Sequence, residues 1–233
     1  MNMSLLQNFT EHAAIAVAAV GGVLAARGKR IDLFGVVVLA LVTAYGGGTV
    51  RDLLVGDTPV TWLRSPFYLL NATLIAIVAF AVARLREIPQ IGLLTADAFA
   101  LALFTTIGTA KGHSLALCAP VCVLLGLITG VAGGIVRDVL VGEVPLVFQP
   151  QIHLYATASL VGAAVFMGLK GVDSSNLVAT LAGISTVLLL RLIGIRLKLS
   201  LPVFEPLTSA PTAVRKAKEP RPGSTNATSI LKQ

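Results

Sequence analysis

The chain has 233 residues, of which 55% are hydrophobic and only 12% are charged, and its formal net charge is +7. Soluble domains carry about 25% charged residues, so this composition excludes an ordinary soluble domain and indicates a protein that spans a bilayer. The positive charge does not indicate nucleic-acid binding, because no basic face interleaved with aromatic residues accompanies it.

Seven apolar segments are predicted to cross the membrane, which makes the fold class all-α and multi-pass. They cover residues 9–26, 33–55, 66–84, 91–110, 115–141, 151–169 and 176–197. The fifth segment is long for one crossing, and Pro120 lies early in it, where a helix start or a kink is expected. Residues 201–233 contain five prolines and no apolar run, which predicts a mobile cytoplasmic tail.

The most informative feature is a motif that occurs twice. Residues 46–59 read GGGTVRDLLVGDTP and residues 132–145 read AGGIVRDVLVGEVP, at an offset of 86 residues. The similarity extends beyond the motif and predicts two three-span repeats, 1–84 and 85–170, followed by a seventh span within 171–200. Because three is an odd number, the second repeat is expected to enter the membrane inverted relative to the first.

Charges near the span ends predict the orientation. With the N-terminus outside, eight basic residues are assigned to the inner side: Arg27, Lys29, Arg30, Arg84, Arg86, Arg191, Arg196 and Lys198. Three are assigned to the outer side: Arg64, Lys111 and Lys170. The positive-inside rule then predicts a cell (inner) membrane protein with its N-terminus outside and its C-terminus in the cytoplasm.

Each copy of the motif places consecutive glycines within an apolar helix: Gly46, Gly47 and Gly48 in span two, and Gly133 and Gly134 in span five. Consecutive glycines weaken a helix, so both spans are expected to kink there and to expose backbone carbonyls to a cavity. Such carbonyls could replace part of a cation's hydration shell. The alternative is that the glycines, part of a small-residue stripe, only allow close helix packing.

Each copy also carries an arginine followed by an aspartate at membrane depth: Arg51 and Asp52, then Arg137 and Asp138. Neighbours on a helix point about 100° apart, so an ion pair within each dipeptide is not expected. The topology instead suggests symmetry-related partners on other spans, Glu11 for the first arginine and Asp97 for the second. The alternative is that both arginines reach lipid headgroups as anchors.

Other polar residues are weaker indications. Thr43 and Thr129 share a helix face with the motif arginines and are expected to line the same cavity. Cys118 and Cys122 are expected to be packing residues, since no histidine or further cysteine joins them. The sequence contains no nucleophile paired with a base, no phosphate loop and no metal cluster. We therefore expect no enzymatic activity, no cofactor and no resident metal.

The doubled GG-x-x-RD-x-L, in a layout of three, three and one spans, resembles the trimeric intracellular cation (TRIC) channels. It is most similar to their bacterial and archaeal relatives, some of which have been labelled glycine transporters. The resemblance covers about residues 9–197. It implies a homotrimer in membrane lipid, with a pore in each protomer around kinked spans two and five. The pore is implied to conduct monovalent cations, K⁺ or Na⁺, with K⁺ foremost.

By motif position, the resemblance implies that the glycines are the kinks and that the Arg-Asp pairs form the polar pore region. Animal members carry a lysine-glutamate signature and basic segments linked to phosphoinositide binding. Here the second copy reads Arg137-Asp138 and the obvious basic cluster lies in the tail. Phosphoinositide regulation is therefore not carried over to this chain.

Three functions remain open at this point. In a cation channel, Asp52 and Asp138 would attract cations at the two ends of the pore, and Arg51 and Arg137 would form a barrier or gate. In a secondary transporter, the same charges would bind a small zwitterion such as an amino acid. A membrane scaffold would instead have a dry, sealed protomer. Saturation and counterflow distinguish a transporter from a channel.

Overall fold

The computed structural model describes residues 3–86, 89, 91–149 and 155–197. Its seven helices are α1 (Met3–Ala25), α2 (Leu33–Leu54), α3 (Pro66–Leu85), α4 (Ile91–Ser114), α5 (Ala119–Leu140), α6 (Tyr155–Gly171) and α7 (Asn176–Leu197). Short 3₁₀ turns follow α2 and α5, at Thr61–Leu63 and Leu146–Phe148. Within the described ranges all regular structure is helical, and the predicted tail, 201–233, lies outside them.

Six of these helices, all except α6, are long and apolar enough to cross a membrane. The described part of α6 has 17 residues. The boundary between the fourth and fifth spans lies four residues later than predicted, since α4 continues to Ser114 and α5 begins at Ala119. Pro120 lies in the first turn of α5, where its missing N–H removes no helical hydrogen bond.

Both motif helices end in the same turn. Gly56 and Gly142 adopt φ values of 68° and 73°, in the left-handed region where glycine avoids a steric penalty. The next residue then donates back into the helix: Asp57 N–H to the Asp52 carbonyl at 2.8 Å, and Glu143 N–H to the Asp138 carbonyl at 2.9 Å. The Val-Gly-acidic part of each motif is therefore a Schellman helix stop.

Small residues bring the helices of the bundle together. A Cβ on Gly22 of α1 would lie 2.6 Å from the Ala40 Cα of α2, and one on Gly108 of α4 would lie 2.4 Å from the Thr129 hydroxyl of α5. The peripheral α3 instead presents large apolar side chains that are more than half exposed: Leu70, Leu74 and Val78. Apolar side chains gain little by burial against one another in an apolar solvent, so close packing between membrane helices has to come from the small residues.

Candidate functional site

The two motif helices pack against each other at their glycines. A Cβ on Gly47 would lie 2.1 Å from the Thr129 carbonyl oxygen, and one on Gly133 would lie 2.5 Å from the Thr43 carbonyl oxygen. Thr43 lies opposite Gly133, and Gly47 lies opposite Thr129. Residue numbers therefore rise along α2 as they fall along α5, so the helices are antiparallel at this contact. Both helices continue through their glycines without unwinding. These two glycines therefore allow backbone contact, as the packing alternative proposed.

The last glycine of each copy has different surroundings. The atom nearest to a Cβ on Gly48 would be Nη2 of Arg51, at 3.9 Å. A Cβ on Gly134 would lie 3.4 Å from the Tyr155 hydroxyl and 3.6 Å from Nη2 of Arg137. A Cβ on Gly46, by contrast, would lie 3.2 Å from the Cα of Gly133. Gly48 and Gly134 therefore leave space beside a buried arginine.

The expectation that each Arg-Asp dipeptide would not form an ion pair was wrong. Arg51 Nε donates to Asp52 Oδ1 at 2.8 Å, and Arg137 Nε donates to Asp138 Oδ1 at 2.7 Å. The guanidinium group is at the end of a long side chain and can turn back to its neighbour, whatever the angle between the two Cβ atoms. Both arginines are buried within the protein, at 3% and 1% exposure, which excludes the headgroup-anchor alternative.

The second carboxylate oxygen of each aspartate accepts a backbone hydrogen bond from the following 3₁₀ turn. Asp52 Oδ2 accepts from Thr61 N–H at 2.7 Å, and Asp138 Oδ2 accepts from Leu146 N–H at 2.9 Å. Each aspartate thus links its arginine to the chain that follows the helix. This arrangement fixes the arginine's direction and keeps both charges hydrogen-bonded, as buried ions require.

In the second repeat, Arg137 also contacts Asp97, the partner that topology suggested. Its Nη1 donates to Asp97 Oδ1 at 3.1 Å. A second guanidinium reaches the same carboxylate from α7, since Arg191 Nη2 lies 3.5 Å from Asp97 Oδ2. The Arg191 guanidinium carbon lies 4.4 Å from the centre of the Tyr155 ring, a cation–π contact. We call Asp97, Arg137, Asp138, Tyr155 and Arg191 the α5 cluster.

In the first repeat, Glu11 and Arg51 take separate partners. Glu11 Oε2 accepts from the Tyr68 hydroxyl at 2.8 Å, whereas Arg51 Nη2 donates to the Thr61 hydroxyl at 3.1 Å. The His12 ring stacks on Tyr68, with ring centroids 4.6 Å apart. Glu11 and Arg51 nevertheless line the same small cavity. We call Glu11, His12, Arg51, Asp52 and Tyr68 the α2 cluster.

The two motif threonines lie between the clusters. Thr43 and Thr129 are buried, and each hydroxyl donates to the carbonyl four residues earlier, at 2.6 Å in both cases. Both side chains line a cavity of about 20 Å³, with Asp97 and Arg137. Each hydroxyl retains acceptor lone pairs that could face a water or a cation.

Three cavities follow one another along the bundle. The largest, about 1090 Å³, is lined by the first turns of α1, the last turns of α4 and parts of α3, α6 and α7, and it includes Glu11 and Arg51. A cavity of about 30 Å³ shares those two residues and extends to Phe104. Phe104 also lines the cavity of about 20 Å³ beside Arg137. The two small cavities have room for about one water each, so this line through the protomer is constricted.

Equivalent ion pairs join the ends of the motif helices to the other repeat. Asp57, after α2, pairs with Lys111 at the end of α4 at 2.5 Å and also with Arg64. Glu143, after α5, pairs with Lys29 in the loop after α1. The hydrogen bond from Lys111, followed by that from Arg64, lowers the pKa of Asp57 from 3.8 to about 2.

Sequence reasoning missed Arg191 and the two tyrosines. Arg191 was assigned to the inner loops, but it is completely buried in α7, so seven residues rather than eight remain on the predicted inner side. A single arginine within the apolar run LLLRLIG was the available signal. Tyr68 and Tyr155 occupy corresponding places at an offset of 87, which differs from the offset of 86 between the two motifs.

Known proteins resemble this chain in sequence and in structure. A family model described as glycine transporter matches residues 8–84 and 94–171. The UPF0126 membrane protein of Vibrio cholerae is 41% identical over 190 residues, or 81% of this chain and 79% of that protein. The chain belongs to the UPF0126 family of membrane proteins. The UPF0126 inner membrane protein YadS of Escherichia coli is 40% identical over 191 residues, or 81% and 91% of the two chains.

Solved structures relate this UPF0126 chain to the TRIC channels, as the resemblance implied. The trimeric intracellular cation channel orthologue from Rhodobacter sphaeroides superposes with a TM-score of 0.79 at 33% identity, covering 83% of this chain and 99% of that one. A prokaryotic TRIC channel determined in 0.5 M KCl gives a TM-score of 0.79 at 29% identity, covering 85% and 100%. The UPF0126 chain is an integral membrane protein with the TRIC fold. Among its described residues no group of His, Cys, Asp and Glu could hold a metal ion.

Proposed function

We propose that this UPF0126 protein is a passive channel for monovalent cations, K⁺ foremost, with a conduction path through each protomer between α1, α2, α4 and α5. The main support is the row of three cavities that passes the two arginine clusters. The similarity to structures named as TRIC cation channels supports the same conclusion. On that similarity we also propose a homotrimer embedded in membrane lipid.

We propose that the two repeats are inverted, with the N-terminus outside and the C-terminus in the cytoplasm. The antiparallel contact of α2 with α5 supports the inversion, because equivalent helices of parallel repeats would run the same way. Without Arg191, seven basic residues against three still favour this orientation by the positive-inside rule. The large cavity then opens outward, and the cavity beside Arg137 lies towards the cytoplasm.

The clusters suggest separate roles for their charges. Asp52 and Asp138 are engaged by an arginine and a backbone N–H, so we assign them to holding Arg51 and Arg137 in place. The carboxylates of Glu11 and Asp97 line the cavities and would attract cations. The side chains of Arg51 and Arg137 would block the path in the closed state. Gly48 and Gly134 place no side chain of their own beside these arginines, so the arginines could move there. A kink at these glycines would accompany opening.

A potassium efflux assay with proteoliposomes tests the arginine roles. If Arg51 and Arg137 close the path, Arg51→Ala and Arg137→Ala should each raise the K⁺ efflux rate several-fold, because each removes a bulky positive charge from a water-sized constriction. Arg64→Ala, outside the constriction, is the matched control and should change the rate far less. Efflux from both arginine variants equal to that of the wild type would reject the gating role.

A secondary transporter of a small zwitterion is the second candidate, because the large cavity combines a carboxylate, Glu11, with basic groups such as Arg51 and Lys111. Such a set complements an amino acid's ammonium and carboxylate groups, and the family description names glycine. Counterflow of labelled glycine into glycine-loaded proteoliposomes, saturating with concentration, would favour this candidate. Electrical current that is independent of glycine would favour the channel.

A further inference from the structure

Arg191 is a buried cation that belongs to neither repeat. It lies on α7, which follows both repeats, and its side chain is completely buried. A guanidinium within an apolar helix is expensive to retain in a membrane, so such a residue indicates a functional position. It contacts Asp97, with Nη2 3.5 Å from Oδ2, and the face of Tyr155. It therefore extends the α5 cluster beyond what the repeat alone would supply.

Each cluster contains a carboxylate next to a tyrosine, but the two clusters differ in the basic side chain that covers the tyrosine ring. Glu11 with Tyr68 in the α2 cluster corresponds to Asp97 with Tyr155 in the α5 cluster. The ring of Tyr68 is covered by His12, whereas the ring of Tyr155 is covered by the permanently charged Arg191. The α5 cluster thus has a fixed positive charge where the α2 cluster has an imidazole ring.

The two clusters differ in net charge. The α2 cluster contains two carboxylates, Glu11 and Asp52, and one guanidinium, Arg51. The α5 cluster contains two carboxylates, Asp97 and Asp138, and two guanidiniums, Arg137 and Arg191. With histidine neutral, the first cluster carries one net negative charge, and the second carries none. The difference comes from Arg191.

We propose that Arg191 is a positioning residue that holds and neutralises Asp97, and so makes the α5 half of the path less attractive to cations than the α2 half. Arg137 engages Oδ1 of Asp97 while Arg191 lies against Oδ2, so both oxygens face a guanidinium. This inference rests on the proposed channel function. It assigns the strength of cation attraction at the cytoplasmic half of the path to a helix outside the repeats.

The test is a charge cycle measured by reversal potential in planar bilayers under a KCl gradient. Arg191→Gln leaves one net negative charge, so the K⁺-to-Cl⁻ permeability ratio should rise about sixfold. One water-screened unit charge about 8 Å away favours K⁺ about 2.4-fold and disfavours Cl⁻ by the same factor. Asp97→Asn leaves one net positive charge and should lower the ratio. The double variant restores neutrality and should return the ratio towards the wild-type value.

Two further variants separate charge from packing. Arg196→Gln, on the exposed end of the same helix, is the matched control and should leave the ratio unchanged. Arg191→Lys keeps the charge but loses the flat stacking on Tyr155. It should keep the wild-type ratio even if its thermal unfolding midpoint falls. A role confined to packing would lower protein stability in the single variants without moving their reversal potentials in opposite directions.

Each outcome has a distinct meaning. No current from the wild type would overturn the proposed function, and this inference with it. A conducting wild type whose ratio equals that of Arg191→Gln, Asp97→Asn and the double variant would overturn only the role of Arg191. If Arg191→Gln does not yield folded protein, the double variant decides. A ratio near the wild-type value, with that of Asp97→Asn lowered, supports the neutralising role of Arg191, and a ratio equal to that of Asp97→Asn rejects it.

Discussion

Gly47 and Gly133 hold the two motif helices at backbone contact, and this contact brings the arginine clusters towards each other. Each glycine lies against a carbonyl oxygen of the opposite helix, Thr129 for one and Thr43 for the other. The glycine stripe predicted from the sequence is therefore a packing surface in this structure. Its last members, Gly48 and Gly134, lie beside side chains of the arginine clusters instead.

Gly47→Ala should destabilise the protein. The added Cβ would lie 2.1 Å from the Thr129 carbonyl oxygen, so the helices must separate, at a cost of about 1–3 kcal/mol for overpacking. The measurement is the thermal unfolding midpoint of purified protein in detergent. Gly168→Ala is the matched control, because nothing lies within 4 Å of its Cβ position and alanine is the better helix former. Equal midpoints for the two variants would contradict the packing account.

Single residues also show where sequence reasoning succeeds and fails. Opposite charges at mirrored depths pointed to Asp97 beside Arg137, and they do lie in contact. The Arg51–Asp52 pair was missed because helical geometry gives the direction of Cβ but not the reach of a long side chain. The buried position of Arg191 was missed because a charged residue close to the end of a span is usually assigned to the adjoining loop. Its packing against Asp97 and Tyr155 shows that it is internal.

At the scale of elements, the loops that follow α2 and α5 act as clamps between the repeats. Asp57 connects the end of α2 to the end of α4, and Glu143 connects the end of α5 to the loop after α1. Each clamp begins directly after a Schellman turn. The positive φ of the glycine in that turn sets the backbone direction of the acidic residue that follows, which places it near its basic partner.

The Asp57 clamp should show a defined pH dependence. The pKa of Asp57 is lowered from 3.8 to about 2 by Lys111 and then Arg64, so the ionised carboxylate stabilises the folded state. That contribution is fully present above pH 3.8 and is lost as the pH falls through about 2. The unfolding midpoint of the wild type should therefore exceed that of Asp57→Asn by a constant amount above pH 3.8. The difference should shrink below that pH.

Lys111→Gln provides the control for this prediction, because it removes the leading partner while retaining the carboxylate. It should abolish a large part of the same pH-dependent difference. A gap between wild type and Asp57→Asn that widens as the pH falls towards 2 would show that the carboxylate does not stabilise the fold through these ion pairs.

Elements were largely predictable from hydropathy, since long apolar runs leave few alternatives in a membrane protein. The boundary between α4 and α5 was displaced by four residues. Apolar residues continue across 115–118, so hydropathy shows no gap there, whereas Ala116 adopts φ 55° and Pro120 lies in the first turn of the next helix. Such an end is set by backbone conformation, which the average apolarity of a segment does not report.

At the scale of the whole molecule, orientation can be tested with the native cysteines. Cys118 is exposed in the loop between α4 and α5, and Cys122 is buried. With the N-terminus outside, that loop faces outward. A membrane-impermeant maleimide added to spheroplasts should therefore label the wild type at Cys118, and Cys118→Ser should abolish the labelling.

Arg30→Cys in the Cys118→Ser background is the matched control for orientation, because Arg30 is exposed in the loop between α1 and α2. It should react only after the membrane is permeabilised. Two results together would reverse the proposed orientation and place the large cavity on the cytoplasmic side. These are labelling of the Arg30→Cys variant in intact spheroplasts and no labelling of the wild type at Cys118.

The repeat and the membrane topology come from sequence patterns, but the conduction path depends on how the two repeats meet. The cavities beside Arg51 and Arg137 are separated by Phe104, and no spacing along the chain predicts that arrangement. The central claim is that cations pass along this line.

Planar-bilayer recording of purified protein under a tenfold KCl gradient tests that claim most directly. A cation channel should give current without added amino acid, reversing near the K⁺ equilibrium potential, about 59 mV in magnitude for a singly charged ion. The absence of current, or a reversal potential at zero or near that of Cl⁻, would contradict a cation path through the protomer.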